Sequence, residues 1–209
     1  KGDDGNGWSR LAIAQLDAGD DLGALDSAEK AIQKGTSNPG AYLVRAKIAF
    51  KKGKYEEAAV AAMESADKVS QGNITQAFEA RKLAGRAFAK AGRPQPARDQ
   101  LNMAKSVNSN DVEVLETLGD LAKAAGDWND AGNNYKMAYE QGGGNLDRLF
   151  EAGYLYYQAR NAGPAAAAFE AVHRKQADYK ELKLWLAKAY LLTGSLESAS
   201  PAVARALEE

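Results

Sequence analysis

A six-residue motif recurs along this chain of 209 residues at a nearly constant spacing. Two clear copies are GKYEEA at 53–58 and GDWNDA at 126–131. Related segments begin at residues 19, 92, 160 and 194, so that the successive spacings are 34, 39, 34, 34 and 34 residues. Alanine occupies the sixth position of every copy. A repeat of this period predicts an array of stacked supersecondary units.

Helical patterns flank each copy of this turn motif. Before the fourth copy, Leu115, Leu118 and Ala122 fall on one face of a helix, and after it Ala131 and Tyr135 repeat at a similar step. The glycine that opens the motif can end a helix in the left-handed conformation. Turn-forming segments such as 38–40 and 108–111 separate the units. The sequence therefore predicts an all-α protein of twelve short helices in six hairpins, without strands.

Two details of these hairpins can be predicted. Small residues on the first helix, such as Gly119, provide sockets for large side chains of the second helix, such as Tyr135. The fifth motif, RNAGPA at 160–165, lacks the opening glycine but still needs a left-handed residue. Asparagine tolerates that conformation better than most residues after glycine, so we expect a positive φ at Asn161 or Gly163.

The composition argues against several functional classes. The net charge of −1 gives no global field that would attract nucleic acid. No stretch reaches the roughly 18 apolar residues that a membrane-spanning helix needs, so we expect no membrane insertion of this segment. The chain begins at Lys1, and a signal or anchor could have been removed. Both a cytoplasmic and a periplasmic or envelope-attached location therefore stay open.

Catalytic and metal-binding groups are scarce. His173 is the single histidine and there is no cysteine, which excludes histidine clusters and Cys/His pairs. Acidic pairs such as Asp20/Asp21 and Glu56/Glu57 recur at the starts of second helices, where carboxylates act as caps. We therefore expect no catalytic residue, no metal and no cofactor.

These repeats resemble the tetratricopeptide repeat (TPR) family, whose 34-residue unit carries a tryptophan, leucine-glycine, tyrosine, alanine and aromatic pattern. Leu118, Gly119, Ala131 and Tyr135 match it in the fourth repeat, and Trp8 and Leu11 match it in the first repeat. The resemblance implies a right-handed superhelical solenoid over residues 8–209, after a flexible linker at 1–7. The repeats would lie near 5–38, 39–77, 78–111, 112–145, 146–179 and 180–209.

The chain departs from the family pattern at several positions. Arg45, Arg81 and Lys183 occupy positions that are usually apolar in the family. The second repeat is five residues longer than the others around 70–75, which predicts a longer loop or an extended helix there.

The resemblance also implies a concave groove, lined by the first helix of each hairpin, that binds a peptide or a partner's helix. The candidate residues change from basic through acidic to aromatic and aliphatic. They are Lys47, Lys82, Arg86, Glu116, Asp120, Phe150, Tyr154, Tyr157, Leu184, Lys188 and Leu191. Alternatively, the lysines are solvated surface residues and the aromatic side chains pack within the stack.

One known recognition mode of the family is disfavoured. The clamp that grips a C-terminal carboxylate would need cations in the third of its helices, and Asp147 and Glu151 stand there instead. Thr117 replaces an asparagine of the middle helix.

We therefore predict a non-catalytic scaffold that binds a protein or peptide segment in the groove. Its partner would place acidic residues near Lys82 and Arg86, and an apolar side chain near Phe150, Tyr154 and Leu184. The alternatives are a homo-oligomer formed through an uncovered C-terminal hairpin at Leu196, Val203 and Leu207, or an arm of a larger bacterial envelope or secretion assembly.

Overall fold

The fold was analysed in a computed structural model, which describes residues 4–69, 73–142 and 144–194. Over these ranges the chain forms eleven α-helices and no strand, which confirms the predicted all-α class. The helices are α1 (Gly5–Asp17), α2 (Asp21–Gln33), α3 (Pro39–Lys51), α4 (Tyr55–Lys68), α5 (Ile74–Lys90), α6 (Pro94–Val107), α7 (Val112–Ala124), α8 (Trp128–Gln141), α9 (Leu146–Gln158), α10 (Ala162–Lys175) and α11 (Leu182–Thr193).

Consecutive helices pair as hairpins, from α1 with α2 to α9 with α10, and α11 is the first helix of the sixth repeat. The predicted twelfth helix, with Leu196, Val203 and Leu207, lies outside the described residues. The helices form two compact units, of residues 1–109 with α1–α6 (unit 1) and of residues 110–209 with α7–α11 (unit 2).

The first helix begins earlier than expected. The Asp4 carboxylate accepts a hydrogen bond from the Gly7 amide at 2.6 Å and caps α1, whose first residue is Gly5. Residues 5–7 therefore belong to the helix and not to a linker, which corrects the predicted boundary at residue 8. The two glycines of this segment masked its helical character, and the N-cap aspartate was its signal.

The five-residue expansion of the second repeat lengthens a helix. The first helices α3, α7 and α9 have 13 residues each, whereas α5 has 17 and begins at Ile74. Asn73 caps it by accepting a hydrogen bond from the Gln76 amide at 3.2 Å. Of the two predicted alternatives, the extended helix is therefore the one found at residues 74–75.

The turn motifs share one backbone geometry. In the second motif, Gly53 has a φ of 75° and donates its N–H to the Phe50 carbonyl at 3.0 Å, while the Lys54 N–H reaches the Ala49 carbonyl at 2.9 Å. This is the Schellman pattern of helix ends. The opening glycines of the first, third, fourth and sixth motifs, Gly19, Gly92, Gly126 and Gly194, also have positive φ.

The fifth motif keeps this geometry without glycine. Arg160 itself takes the left-handed conformation with a φ of 56°, and it donates to the Tyr157 carbonyl at 2.9 Å. The expectation of a positive φ at Asn161 or Gly163 is therefore wrong, since Asn161 has a φ of −91° and Gly163 lies inside α10. The end of α9 determines which residue must turn, and the next position already serves as the N-cap of α10.

The predicted sockets are present in three hairpins. A Cβ atom on Gly119 would lie 2.5 Å from the Tyr135 ring, and one on Gly153 would lie 2.7 Å from the Phe169 ring. In unit 1, a Cβ on Gly85 would lie 2.5 Å from the Leu101 side chain. The motif alanines Ala24, Ala58, Ala97, Ala131 and Ala165 are completely buried. Small residues thus allow the two helices of a hairpin to approach closely.

The three charged residues at positions that are usually apolar in the family have different surroundings. The Arg45 guanidinium pairs with the Glu64 carboxylate, and Arg81 donates to the Gln100 side-chain oxygen at 3.2 Å. Lys183 is exposed on α11. The guanidinium groups of Arg45 and Arg81 therefore each have a polar partner on the second helix of their own hairpin.

Candidate interaction surfaces

The predicted basic residues lie on two adjacent first helices of unit 1. Lys47 is on α3, while Lys82 and Arg86 are on α5 at a spacing of four residues, which places them on one helix face. The two helices are neighbours, because the Arg86 guanidinium lies 5.0 Å from the centroid of the Phe50 ring of α3. Lys51 and Lys90 extend the same two faces by one turn.

These cations differ in how they are held. The Lys82 side chain is only 16% exposed, and its ammonium lies 5.1 Å from the Phe78 ring centroid and 3.7 Å from the Glu79 carboxylate. Lys51 pairs with Asp21. Lys47 and Lys90 are exposed, and no residue in the described part of the chain forms an ion pair with either. The surface thus combines two positioned cations with two that are free to receive a carboxylate. We call it the basic face, formed by Lys47, Lys82, Arg86 and Lys90.

The predicted acidic residues of unit 2 are paired internally. Arg148 of α9 donates from Nε to Glu116 of α7 at 2.9 Å, and its Nη1 lies 4.0 Å from Asp120. Asp120 also accepts a hydrogen bond from the Tyr135 hydroxyl at 2.6 Å. Burial of Tyr135, together with this carboxylate, raises the pKa of the phenol. Glu116 and Asp120 therefore join helices within unit 2, and their charges are largely compensated.

The predicted aromatic residues pack on other rings. Tyr154 and Tyr157 lie 4.9 and 5.5 Å from Trp185 of α11, both in edge-to-face orientation, as measured between ring centroids. Phe150 makes similar contacts with Phe169 at 5.5 Å and Tyr179 at 5.6 Å. All three predicted residues are half-buried. Trp185 of α11 and Tyr179 before it thus cover part of each ring, which is the packing within the stack that the sequence analysis gave as the alternative.

Two hydrogen bonds to Asp147 of α9 fix Tyr179 and Lys180, in the segment that precedes α11. The Asp147 carboxylate accepts hydrogen bonds from the Tyr179 hydroxyl and the Lys180 ammonium. These hydrogen bonds hold the pKa of Asp147 below its usual value. The Lys180 ammonium also lies 5.6 Å from the Phe150 ring centroid.

The aliphatic end of the predicted set is exposed. Leu184 and Leu191 of α11 are 49% and 56% exposed, and Lys188 lies between them with its ammonium 4.2 Å from the Trp185 ring centroid. Sequence reasoning missed Trp185. The period could have identified it, since it stands 34 residues after Glu151, which has the same place on α9.

The predicted residues thus form two sets. Lys47, Lys82 and Arg86 lie together in unit 1. The acidic, aromatic and aliphatic residues, with Lys188, follow one another on α7, α9 and α11 of unit 2. In neither set do three His, Asp or Glu side chains of the described ranges cluster as potential metal ligands. None of the helices that the structure describes has the length and apolarity required to span a membrane.

The chain belongs to the tetratricopeptide repeat family. The model of that repeat matches residues 9–74 and 150–209. A TPR repeat-containing protein of Methanocaldococcus jannaschii is 28% identical over 178 residues, which are 85% of this chain and 30% of the relative. The chain therefore spans less than a third of the length of this relative.

Solved structures share the fold. YrrB, described as a TPR protein with an unusual peptide-binding site, has a TM-score of 0.69 at 21% identity over 85% of this chain and 89% of its own. MamA has a TM-score of 0.66 at 21% identity over 86% of this chain and 97% of its own. The TPR fold is in general a scaffold for protein–protein interaction, and its members are generally non-catalytic.

Proposed function

We propose that this chain is a non-catalytic scaffold and that the basic face of unit 1 binds an acidic polypeptide segment. The observation that carries the proposal is the arrangement of the four cations. Lys82 and Arg86 are positioned over aromatic rings, and within the described ranges Lys47 and Lys90 have no ion-pair partner. Cations fixed in this way can receive carboxylates with little loss of side-chain entropy.

The apolar side chains between these cations would add affinity. Leu43 and Phe50 of α3 are half-buried beside Lys47, so that an extended or helical segment could contact apolar and basic groups together. The apolar contacts supply most of the binding energy, whereas the charges orient the segment and speed its association. The peptide-binding site named for YrrB is consistent with such a use of the fold.

A labelled synthetic peptide that alternates glutamate with leucine tests the proposal. The double variant Lys47→Glu with Lys90→Glu should weaken binding by about tenfold at low salt, mainly through slower association. Lys52→Glu with Lys175→Glu is the matched control, because it changes the net charge equally at exposed lysines away from the basic face.

Binding is followed by fluorescence anisotropy at two salt concentrations, with circular dichroism to establish that each variant is folded. The parent and the control should lose affinity as salt rises, and the basic-face variant should show a flatter dependence. Equal affinities of the two double variants would overturn the assignment of this face.

A further inference from the structure

A cavity of about 420 Å³ lies beside α3 in unit 1, away from the basic face. It is lined by Arg45 and Ala49 of α3 and by Glu56, Glu57 and Val60 of α4. Arg45 and Ala49 are each two residues from Lys47, and two residues turn an α-helix by about 200°. The cavity therefore lies on the opposite side of α3 from Lys47.

The position of Ala49 carries an aromatic ring in three other repeats. It is the fourth residue before the turn motif, and Phe88, Tyr156 and Tyr190 occupy it on α5, α9 and α11, where all three are buried. Gln15 and Ala122 occupy it on α1 and α7, which are the first helices of their units and have no preceding second helix there. Among α3, α5, α9 and α11, which have such a neighbour, only α3 has a small residue at this position.

The tyrosines at this position reach the second helix of the preceding repeat. A Cβ on Gly132 of α8 would lie 2.9 Å from the Tyr156 ring, and the Tyr156 hydroxyl donates to the Asn133 side chain at 2.7 Å. The Tyr190 hydroxyl donates to the Glu170 carboxylate of α10. A ring at this position thus fills the space behind a first helix and places its hydroxyl on a polar side chain. The methyl group of Ala49 leaves that space beside α3 unfilled, and the cavity is found there.

The side chains around the cavity suit an aromatic ring that carries a hydroxyl group. Ala49 and Val60 offer apolar contacts. Both carboxylate oxygens of Glu57 accept hydrogen bonds from the Lys54 ammonium at 3.1 Å. Glu56 accepts one from Arg93 at 3.2 Å through Oε1, and no group in the described part of the chain donates to its Oε2. Glu56 therefore keeps a free acceptor at the edge of the cavity.

We propose that this cavity binds a small phenol. The ring lies against Ala49 and Val60, and the hydroxyl donates to Glu56 as that of Tyr190 donates to Glu170. A cavity where a large side chain is missing can take up a small molecule of similar shape, and this volume falls within the range of small-molecule sites. The site goes beyond the proposed scaffold function, and it uses none of the residues of the basic face.

The probe is 4-fluorophenol, whose binding is titrated by fluorine NMR because the protein itself contains no fluorine. Fluorobenzene is the matched ligand without a hydroxyl and should bind about tenfold more weakly, as expected for the loss of one hydrogen bond to a charged acceptor. In Glu56→Leu the two ligands should bind equally, because leucine accepts no hydrogen bond. A tenfold preference for 4-fluorophenol that persists in Glu56→Leu would contradict the assigned acceptor.

Substitutions inside the cavity test its position. Ala49→Phe should abolish binding of 4-fluorophenol, because the new ring occupies the cavity as Phe88 occupies the equivalent position of α5. Val60→Asp should weaken binding at least about tenfold by placing a charge against the ring. Val60 is half exposed, so this variant tests the site even where Ala49→Phe fails to fold. Ile74→Phe, at an exposed residue outside the cavity, is the control and should bind like the parent.

Three results would overturn the proposal. One is the absence of binding of 4-fluorophenol to the parent at millimolar concentration. Another is unchanged affinity in Ala49→Phe and Val60→Asp, when circular dichroism shows that both are folded. The third is displacement of the probe by N-acetyltyrosinamide at a lower concentration than by p-cresol, which would assign the cavity to a tyrosine side chain of a partner protein.

The lysine variants of the basic face separate this proposal from the proposed function. Lys47→Glu with Lys90→Glu should leave binding of 4-fluorophenol unchanged, because neither residue lines the cavity. Loss of 4-fluorophenol binding in that variant would contradict the assignment to this side of α3, whatever the basic face binds.

Discussion

Each helix hairpin depends on a single turn residue whose backbone adopts a positive φ. Five of the six motifs have glycine at this position. The remaining one, the motif at 160–165, has Arg160 there. A side chain in the left-handed region costs roughly 1–2 kcal/mol. The hydrogen bonds of Arg160 and Asn161 to the end of α9 are the same as those in the glycine turns, so the helix end outweighs this cost.

Replacing Arg160 by glycine should therefore stabilise the protein. We expect the free energy of unfolding to rise by about 1 kcal/mol in Arg160→Gly, because the Cβ strain disappears while the turn stays the same. The reverse change, Gly126→Ala at a φ of 80°, should lower it by a similar amount. Urea unfolding of both variants measures the two effects, and a destabilised Arg160→Gly would show that the arginine side chain has a role beyond the turn.

The socket glycines are predicted to tolerate no side chain. Gly119→Ala should lower the free energy of unfolding by about 1–3 kcal/mol, because its Cβ would meet a completely buried tyrosine ring held by the Asp120 carboxylate. Gly7→Ala in α1 is the control, since the added Cβ would lie 3.5 Å from the Asp4 carboxylate, an ordinary van der Waals contact. Its expected effect is a gain of up to about 1 kcal/mol from helix propensity. Equal effects of the two substitutions in thermal unfolding would contradict the socket.

At the scale of helices, the helices and their caps were predictable from the sequence, but the contacts between side chains of different repeats were not. Caps, turn glycines and apolar spacing depend on residues within a few positions, so the helix hairpins and the Gly119 socket follow from the sequence. The coverage of Tyr154 by Trp185 depends on how two helices 31 residues apart in sequence approach each other. Periodicity places both residues on first helices but does not give the distance between their rings. The sequence therefore placed Tyr154 among the groove candidates but could not give its packing on Trp185.

The aromatic contacts change the expected outcome of a test substitution. A groove residue without contacts inside the stack could be replaced by alanine without a change in stability. Because Tyr154 packs edge-to-face on Trp185, we now expect the free energy of unfolding to fall by about 1–3 kcal/mol. Leu191→Ala on the exposed face is the comparison and should change it by less than about 0.5 kcal/mol. Denaturant unfolding followed by Trp fluorescence measures both, and equal stability of Tyr154→Ala and the parent would contradict the packing.

At the scale of the whole molecule, charge balance conceals an uneven distribution of ionisable groups. The net charge of −1 excludes little about individual surfaces, since the basic face and the compensated Glu116–Arg148 contact occur in the same chain. Unit 2 also buries the phenol groups of Tyr135, Tyr156 and Tyr190. Each hydroxyl donates a hydrogen bond to a side-chain oxygen, of Asp120, Asn133 and Glu170 respectively. These groups make the stability of unit 2 sensitive to alkaline pH.

Unit 2 should lose stability as pH rises from 10 towards 12. Burial, with the nearby Glu140 charge, raises the pKa of Tyr156 from 10.0 to about 12, and burial with the hydrogen bond to Glu170 raises the pKa of Tyr190 to about 12. Because the folded-state pKa lies above the unfolded-state value, the contribution to stability is complete below pH 10 and is lost as pH approaches 12.

Urea unfolding at a series of pH values, with tyrosinate absorbance as a parallel signal, measures this loss. Tyr156→Phe and Tyr190→Phe lower stability at neutral pH, because each removes a hydrogen bond to Asn133 or Glu170. Each should also flatten the decline above pH 10, since the substituted ring has no proton to lose. A decline of the same slope in the parent and in both phenylalanine variants would mean that other groups cause the alkaline unfolding.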